Sequence, residues 1–337
     1  MTSISLDRKE RNVMGRVKGI FFLSLIVSCL GIAPEIGAKD YPLRTINLIV
    51  PWSAGASTDI TARIMAPALS KALGAPVSVI NKPGGSGIIG TLEAVKAAPD
   101  GYTILVDCGG TSSIQYAWAE NLPYNVEERT YMARAILSPM GLSVRGNAPW
   151  KTLEEMVADI RKNPSAFRWS LIGGTGVPDV LIAQLRAALM AKGVDLSKTR
   201  TITYKGTGEV MIALGGGHVD IAFASPSATN SLWAAGKVRP LAISGQQRYK
   251  GWPDIPCTAE LGYPTVSLTY WAGYCAPSGL PQGIAKAWMD AVRATVTDPE
   301  VIAKFDSVGF VPAFLNSEDF KKFVLEEGKS IKGLKLK

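Results

Sequence analysis

From Thr45 onward, short apolar runs alternate with stretches whose apolar positions recur at helical spacing. Thr45–Val50, Val77–Asn81 and Tyr102–Val106 read as strands, and Asp59–Leu73 and Ile89–Ala97 as the helices between them. Strands separated in this way by helices predict a parallel sheet with covering helices. The pattern restarts after Gly141: Leu142–Arg145 is extended, Thr152–Lys162 helical, Arg168–Ile172 a strand, Val180–Lys192 a helix closed by Gly193, and Arg200–Tyr204 a strand. Val210–Leu214, Val219–Ala224 and Arg239–Ser244 continue the alternation, which predicts two similar α/β halves. Gly, Pro and polar residues dominate from Gln246 to Pro264. Ser267–Ala276 then reads as a strand, Pro281 opens a helix running to about Thr297, and Ser317 starts a last one with Glu318 and Asp319 in its first turn.

At 337 residues and 47% hydrophobic content the chain can bury a large core, and its size favours two domains. Arg8, Lys9, Arg11, Arg16 and Lys18 precede the apolar run Gly19–Ala33, and Ile36-Gly37-Ala38 follows. That is the layout of a secretory signal peptide over residues 1–38, and the apolar run is shorter than the ~20 residues a membrane span needs. The expected mature protein is soluble and exported. It keeps 31 basic and 25 acidic residues, a net charge of +6 that suits a small anionic ligand. Ile26-Val27-Ser28-Cys29 also resembles a lipoprotein cleavage site, a less favoured alternative because apolar residues continue beyond it. The basic residues are too scattered to track a nucleic acid backbone. Of the cysteines left after cleavage, Cys257 and Cys275 are the candidate disulfide pair, against the plainer reading of buried free thiols.

Candidate chemistry gathers where strands hand over to helices. After the first strand, Trp52-Ser53-Ala54-Gly55-Ala56-Ser57-Thr58-Asp59 places small residues at a helix start, where unpaired N–H groups and the helix dipole attract an anion. Thr58 or Asp59 can cap that helix, and Trp52 can wall a pocket. The plain alternative is a tight turn with an N-cap. Asp107-Cys108-Gly109-Gly110-Thr111-Ser112-Ser113 and Gly173-Gly174-Thr175-Gly176 repeat the character at two further strand ends, where open α/β sheets bind ligands. Gly85-Ser86-Gly87-Ile88-Ile89-Gly90 formally matches a dinucleotide fingerprint, with Asp107 ending the next strand. Asn81-Lys82-Pro83-Gly84 lengthens the turn before its first glycine, and export argues against a nicotinamide cofactor. His218 lies in a glycine turn and no nucleophile motif accompanies it. One histidine and cysteines without C-x-x-C spacing build no metal site.

Tyr41–Val106, with "IVPWSAGASTDITARI", "NKPGGSG" and "PDGYT", closely resembles the opening of the substrate-binding proteins of tripartite tricarboxylate transporters, the Bug family. Leu122-Pro123-Tyr124, "YKGTGEVMIALGGGHVDIAFAS" (204–225), "GKVRPLAIS" (236–244), Pro253-Asp254-Ile255-Pro256 and Glu260-Leu261-Gly262 continue the likeness. The glycine motif belongs to that family's own loop. The resemblance implies a type II periplasmic binding protein: a lobe of residues 39–140 plus 265–337, a second of 141–264, two crossovers, and closure on a small carboxylate. It places the ligand against Trp52, Ser53, Ala54, Gly55, Ser57, Thr58 and Asp59 of the first lobe and Gly174, Thr175 and Gly176 of the second. Thr111 and Ser112 join them from the middle junction, and Lys205 and Ser225 face the cleft. It further implies a monomer without enzymatic activity or cofactor, delivering a small organic anion to membrane permease subunits or a sensor protein.

Two departures bear on the ligand. Gly55-Ala56 stands where the family usually has two glycines, and Val177, Pro178 and Asp179 stand where it has a serine and then a histidine. An acid near the pocket repels a second carboxylate, which favours a monocarboxylate or a mixed polar ligand over a dicarboxylate. Glu127–Leu137 also departs from the family pattern. The alternative function is an exported enzyme on the same scaffold, with Asp59, Asp107 or Asp179 as its base.

Overall fold

The computed structural model describes residues 41–119, 121–174, 176–204, 206–332 and 334. The expected signal peptide, Cys29, Thr175 and Lys205 lie outside the described residues. Strands β1 (Ile46–Val50), β2 (Val77–Asn81) and β3 (Thr103–Cys108) pair in parallel, with Leu48 opposite both Val79 and Ile104. Helices α1 (Ser57–Leu73) and α2 (Ile88–Val95) connect them. α1 turns Thr58, Thr61, Ala62, Met65, Ala66 and Leu69 inward at helical spacing and ends at Gly74.

The sheet is not wholly parallel as the alternation predicts. Its order is β11-β4-β10-β3-β1-β2, where β4 (Thr130–Ser138), β10 (Tyr270–Ala276) and β11 (Val311–Leu315) bring antiparallel neighbours. An apolar run reports burial but not chain direction, and β10 enters from the opposite end because the chain is returning from elsewhere. β5 (Gly141–Arg145) makes the reciprocal entry. It lies antiparallel between β8 (Ala222–Ala224) and β9 (Val238–Ile243), while β6 (Arg168–Leu171) pairs in parallel with β7 (Arg200–Thr203). A parallel bridge between Trp169 and Ile221 joins β6 to the start of β8. The second group therefore runs β7-β6-β8-β5-β9, matching β2-β1-β3-β10-β4. Each group accepts one antiparallel strand from a chain arriving out of the other. This is the two-lobe α/β architecture of type II binding proteins, with the chain passing between the lobes twice.

Six further helices cover the sheets: α4 (Leu153–Lys162), α5 (Val177–Ala191), α6 (Thr207–Gly215), α7 (Pro226–Ala234), α8 (Gln282–Val296) and α9 (Pro299–Ser307). The short α3 (Ser113–Trp118) and the last helix, α10 (Ser317–Ile331), complete the set among the described residues. Thr152 caps α4 by accepting from Glu155 N at 3.2 Å, and Asn316 caps α10 by accepting from Asp319 N at 2.9 Å. α10 seats Phe320 edge-on against both Trp271 and Tyr131, with ring centroids 5.3 and 5.2 Å away. Cys108, Cys257 and Cys275 are buried free thiols, so Cys257 and Cys275 form no disulfide. No helix among the described residues is long and apolar enough to cross a membrane.

α10 also delivers a half-buried acid. Glu327 Oε2 accepts from Trp271 Nε1 at 2.7 Å and from the Ser113 hydroxyl. Burial raises its pKa to about 7, against the opposing pull of those two donors and of Arg134. Because the folded value lies above the unfolded one of 4.5, this group's stabilising contribution is full below about pH 4.5. It is lost as pH rises through about 7. Glu327→Gln keeps an acceptor for both donors without the charge. Relative to wild type it is expected to gain about 2 kcal/mol between pH 5 and pH 8. Urea midpoints at the two pH values check this, and a pH-independent difference would rule out the raised pKa.

Candidate functional site

The loop leaving β1 is built around one turn. Ala56 N donates to Ser53 O at 3.1 Å, and Gly55 takes φ 82°, the left-handed region that an L side chain rarely adopts. Ser53, Ala54 and Gly55 are exposed. α1 begins at Ser57, two residues earlier than its apolar pattern suggests, and its N-cap is Ala56, which supplies no side-chain acceptor. The capping expected of Thr58 or Asp59 therefore does not occur in that form. The amides of Ser57 and Thr58 have no backbone partner among the described residues.

Asp59 instead folds back from the first turn of α1. Its Oδ2 accepts from Gly55 N at 2.9 Å and Arg63 Nε at 3.0 Å, and its Oδ1 from Asn81 Nδ2 at 2.9 Å. Asn81 Nδ2 also donates to Trp52 O at 3.0 Å, so one amide group ties the end of β2 to both sides of the loop. Burial pushes the Asp59 carboxyl up, but the donors Arg63, Gly55 and Asn81 together hold it below the usual carboxylate value. The side chain is 2% exposed and serves as a brace. Thr58 is equally buried and accepts from the Tyr270 hydroxyl at 3.0 Å, a partner the sequence does not reveal. Trp52 is half-buried and donates through Nε1 to Cys108 Sγ at 3.2 Å.

The glycine motif at 85–90 serves close packing. A Cβ on Gly87 would lie 2.6 Å from Thr111 Cγ2 and 3.3 Å from the Trp52 ring, and one on Gly90 2.9 Å from Pro51 Cα. These glycines let α2 and its leading turn press against the β1 and β3 loops.

The loop after β3 differs from expectation. Thr111 and Ser112 are wholly buried, and their hydroxyls donate to Asp107 at 2.8 Å (Oδ1) and 2.5 Å (Oδ2). Asp107 also accepts from Cys108 N at 3.0 Å, Cys275 Sγ at 3.3 Å and Arg129 at 3.1 Å. The Arg129–Asp107 pair is fully shielded from solvent. Thr111 and Ser112 thus spend their hydroxyls on Asp107 rather than presenting them to solvent, because a buried carboxylate draws nearby donors. Arg129 went unrecognised in the sequence. The signal was available in Asp107 itself, an acid closing an apolar strand, which calls for buried donors or a cation.

In the second lobe, Asp179 sits at the third position of α5, as Asp59 does in α1. α5 starts at Val177 rather than Val180, with Pro178 in its first turn, where its missing N–H costs nothing. Asp179 accepts from Ile172 N at 2.7 Å, Gly174 N at 2.5 Å and Gly176 N at 3.4 Å, and is 0% exposed. Gly173 is exposed and Gly174 half-buried. A Cβ on Gly109 would lie 3.6 Å from Val177 Cγ2, so the head of α5 meets the β3 loop of the first lobe. Ser225, 5% exposed, precedes α7 and its hydroxyl pairs with that of Ser227 at 2.7 Å. His218 is exposed at its turn. A cavity of about 560 Å³ lined by Tyr116, Leu122, Tyr124 and Glu128 shares no residue with these loops.

Two α/β lobes, each taking one antiparallel strand from the other, define the fold of the periplasmic solute-binding proteins. The chain belongs to the tripartite tricarboxylate transporter family of receptors, whose family model matches residues 61–335. It is 32% identical to the UPF0065 protein in the gbd 5' region of Cupriavidus necator, over 93% of this chain and 94% of that one. The periplasmic binding protein BugD has a similar structure, with a TM-score of 0.76 and 29% identity over 87% of this chain and 97% of that one. MatC from Rhodopseudomonas palustris, solved with bound malate, gives 0.76 and 26% over 88% and 100%.

Proposed function

We propose that the protein is an exported receptor that closes residues 39–140 plus 265–337 and residues 141–264 around a small organic carboxylate. It would then release that ligand to permease subunits or a sensor protein. The observation that carries this reading is the exposed turn at Ser53–Gly55, followed by unpartnered amides at Ser57 and Thr58 and braced by Asp59. A carboxylate there replaces water with fixed N–H dipoles and the positive end of α1. The malate held by MatC supports the ligand class. Ser225, Thr175 and Lys205 are proposed to complete the far wall.

The enzyme reading gains little support. Asp107 and Asp179 are wholly buried and Asp59 nearly so, each with both oxygens occupied by donors, which leaves none poised to take a substrate proton. A thermal-shift screen of small mono- and dicarboxylates at fixed pH tests the proposal. At a ligand concentration 100 times Kd the stabilisation is about 2.7 kcal/mol, which shifts the midpoint by several degrees. The ligand should be recovered unchanged. Failure of every carboxylate to raise the midpoint would remove the reading, and conversion of the ligand would move the protein to the enzyme class.

A further inference from the structure

The second lobe's glycine loop has the form of an anion cradle, but the chain fills it. Three successive alternate amides, those of Ile172, Gly174 and Gly176, converge on the two oxygens of Asp179. Every contact those oxygens make is with an N–H donor, which a carboxylate satisfies fully and a protonated carboxyl does not. Burial raises the Asp179 carboxyl above its usual value, and the three amides offset that only in part. Among the described residues no cation pairs with it. The negative charge is therefore balanced by backbone dipoles alone, in the turn that leads into Val177, whose side chain approaches Gly109 of the first lobe. The first lobe differs. Asp59 takes only one loop amide, Gly55 N, its charge is matched by Arg63, and the amides of Ser57 and Thr58 stay unpartnered.

Resting on the carboxylate-receptor reading above, we propose that Asp179 is a specificity-determining residue that confines the ligand to one carboxylate, held by the first lobe, with an uncharged far end. A second carboxylate arriving at Gly174 meets an amide already given to Asp179 and a like charge that no cation offsets. An amide, hydroxyl or methyl end meets neither obstacle and can use the loop carbonyls. Asp179 acts through the loop amides without touching the ligand, so it is a positioning residue.

The test compares acids matched in length and shape: succinate with succinamate, malate with 2-hydroxybutanoate, and glutarate with glutaramate, by calorimetry on the full mature chain. Wild type should bind the monoanion of a pair at least about tenfold more tightly than the dianion, a difference of about 1.4 kcal/mol. Asp179→Asn removes the charge at constant size, and Asp179→Ala frees all three amides. Each should cut that ratio at least about fivefold, with Asp179→Ala showing the larger effect. A purely structural role for Asp179 would lower both affinities together and leave the ratio unchanged. Dianion binding as tight as monoanion binding in wild type would overturn the proposal and leave the receptor reading standing. A ratio unmoved in both variants would do the same. Binding of no member of any pair would remove the carboxylate reading and this inference with it.

Discussion

Arg129→Met is expected to lower the thermal midpoint by roughly 6–20 °C, the largest stability loss of any single substitution considered for this chain. Arg129 donates through one guanidinium nitrogen to Asp107 Oδ2 at 3.1 Å and Ser112 Oγ at 2.9 Å, and through the other to Thr111 O at 3.4 Å. The guanidinium also lies 5.3 Å from the Tyr124 ring centre. Replacing both members of such a pair with apolar groups can be neutral, since the attraction barely exceeds the cost of desolvating two ions. Removing one member is different, because it strands the other charge in the interior, at a cost of about 3–5 kcal/mol. For a chain of this size each kcal/mol moves the midpoint by about 2–4 °C. The double variant Asp107→Leu with Arg129→Met should recover part of the loss, and that recovery separates a stranded charge from lost packing. A single variant within about 2 °C of wild type would show that Asp107 finds other compensation.

The same cluster shows where reading the chain succeeds and where it stops. β1 and β2 were legible because their apolar runs are closed by Pro51 and by Lys82-Pro83, and both faces of β1 are covered. β4 was not, although it lies between β11 and β10 and is almost wholly buried. Its sequence Tyr-Met-Ala-Arg-Ala places Arg134 in mid-strand, where its Nε donates to Ala313 O at 2.9 Å, its guanidinium lies over Phe323 and Glu327 attracts it, all three distant in sequence. The segment 127–137, which departs from the family pattern, holds Arg129 and all but the last residue of β4. The site divides in the same way. Small residues at a strand–helix junction announce exposed backbone, so the β1 loop could be anticipated. The direction of a hydroxyl could not: Thr111 and Ser112 turn inward because Arg129 and Asp107 meet behind them. Asp179 was legible as an acid close to the glycine loop, whereas its position inside that loop depends on three amides whose convergence only the folded backbone sets.

Gly55→Leu is expected to weaken carboxylate binding by about 100-fold, or about 2.7 kcal/mol, while shifting the thermal midpoint by only a few degrees. The two effects separate because of what surrounds the residue. A Cβ at this position would meet nothing within 4 Å, so a larger side chain displaces no core atom. What it disturbs is the backbone. At φ 82° an L residue carries about 1–2 kcal/mol of strain. The loop can relieve that strain by rotating, which withdraws Gly55 N from Asp59 and reaims Ser53, Ala54 and the start of α1. Fixed dipoles grip an anion only while they point at it, so a modest rotation removes most of the gain over water. The leucine side chain adds a second obstacle by projecting into the exposed approach to the turn. Gly55→Ala carries the strain without the bulk and should lose about tenfold, which apportions the effect between the two causes. Calorimetric titration with the tightest carboxylate from the screen, alongside a melting curve, gives both quantities. Wild-type affinity in Gly55→Leu would place the ligand away from this turn, and with it the reason for the small residues between Trp52 and Asp59.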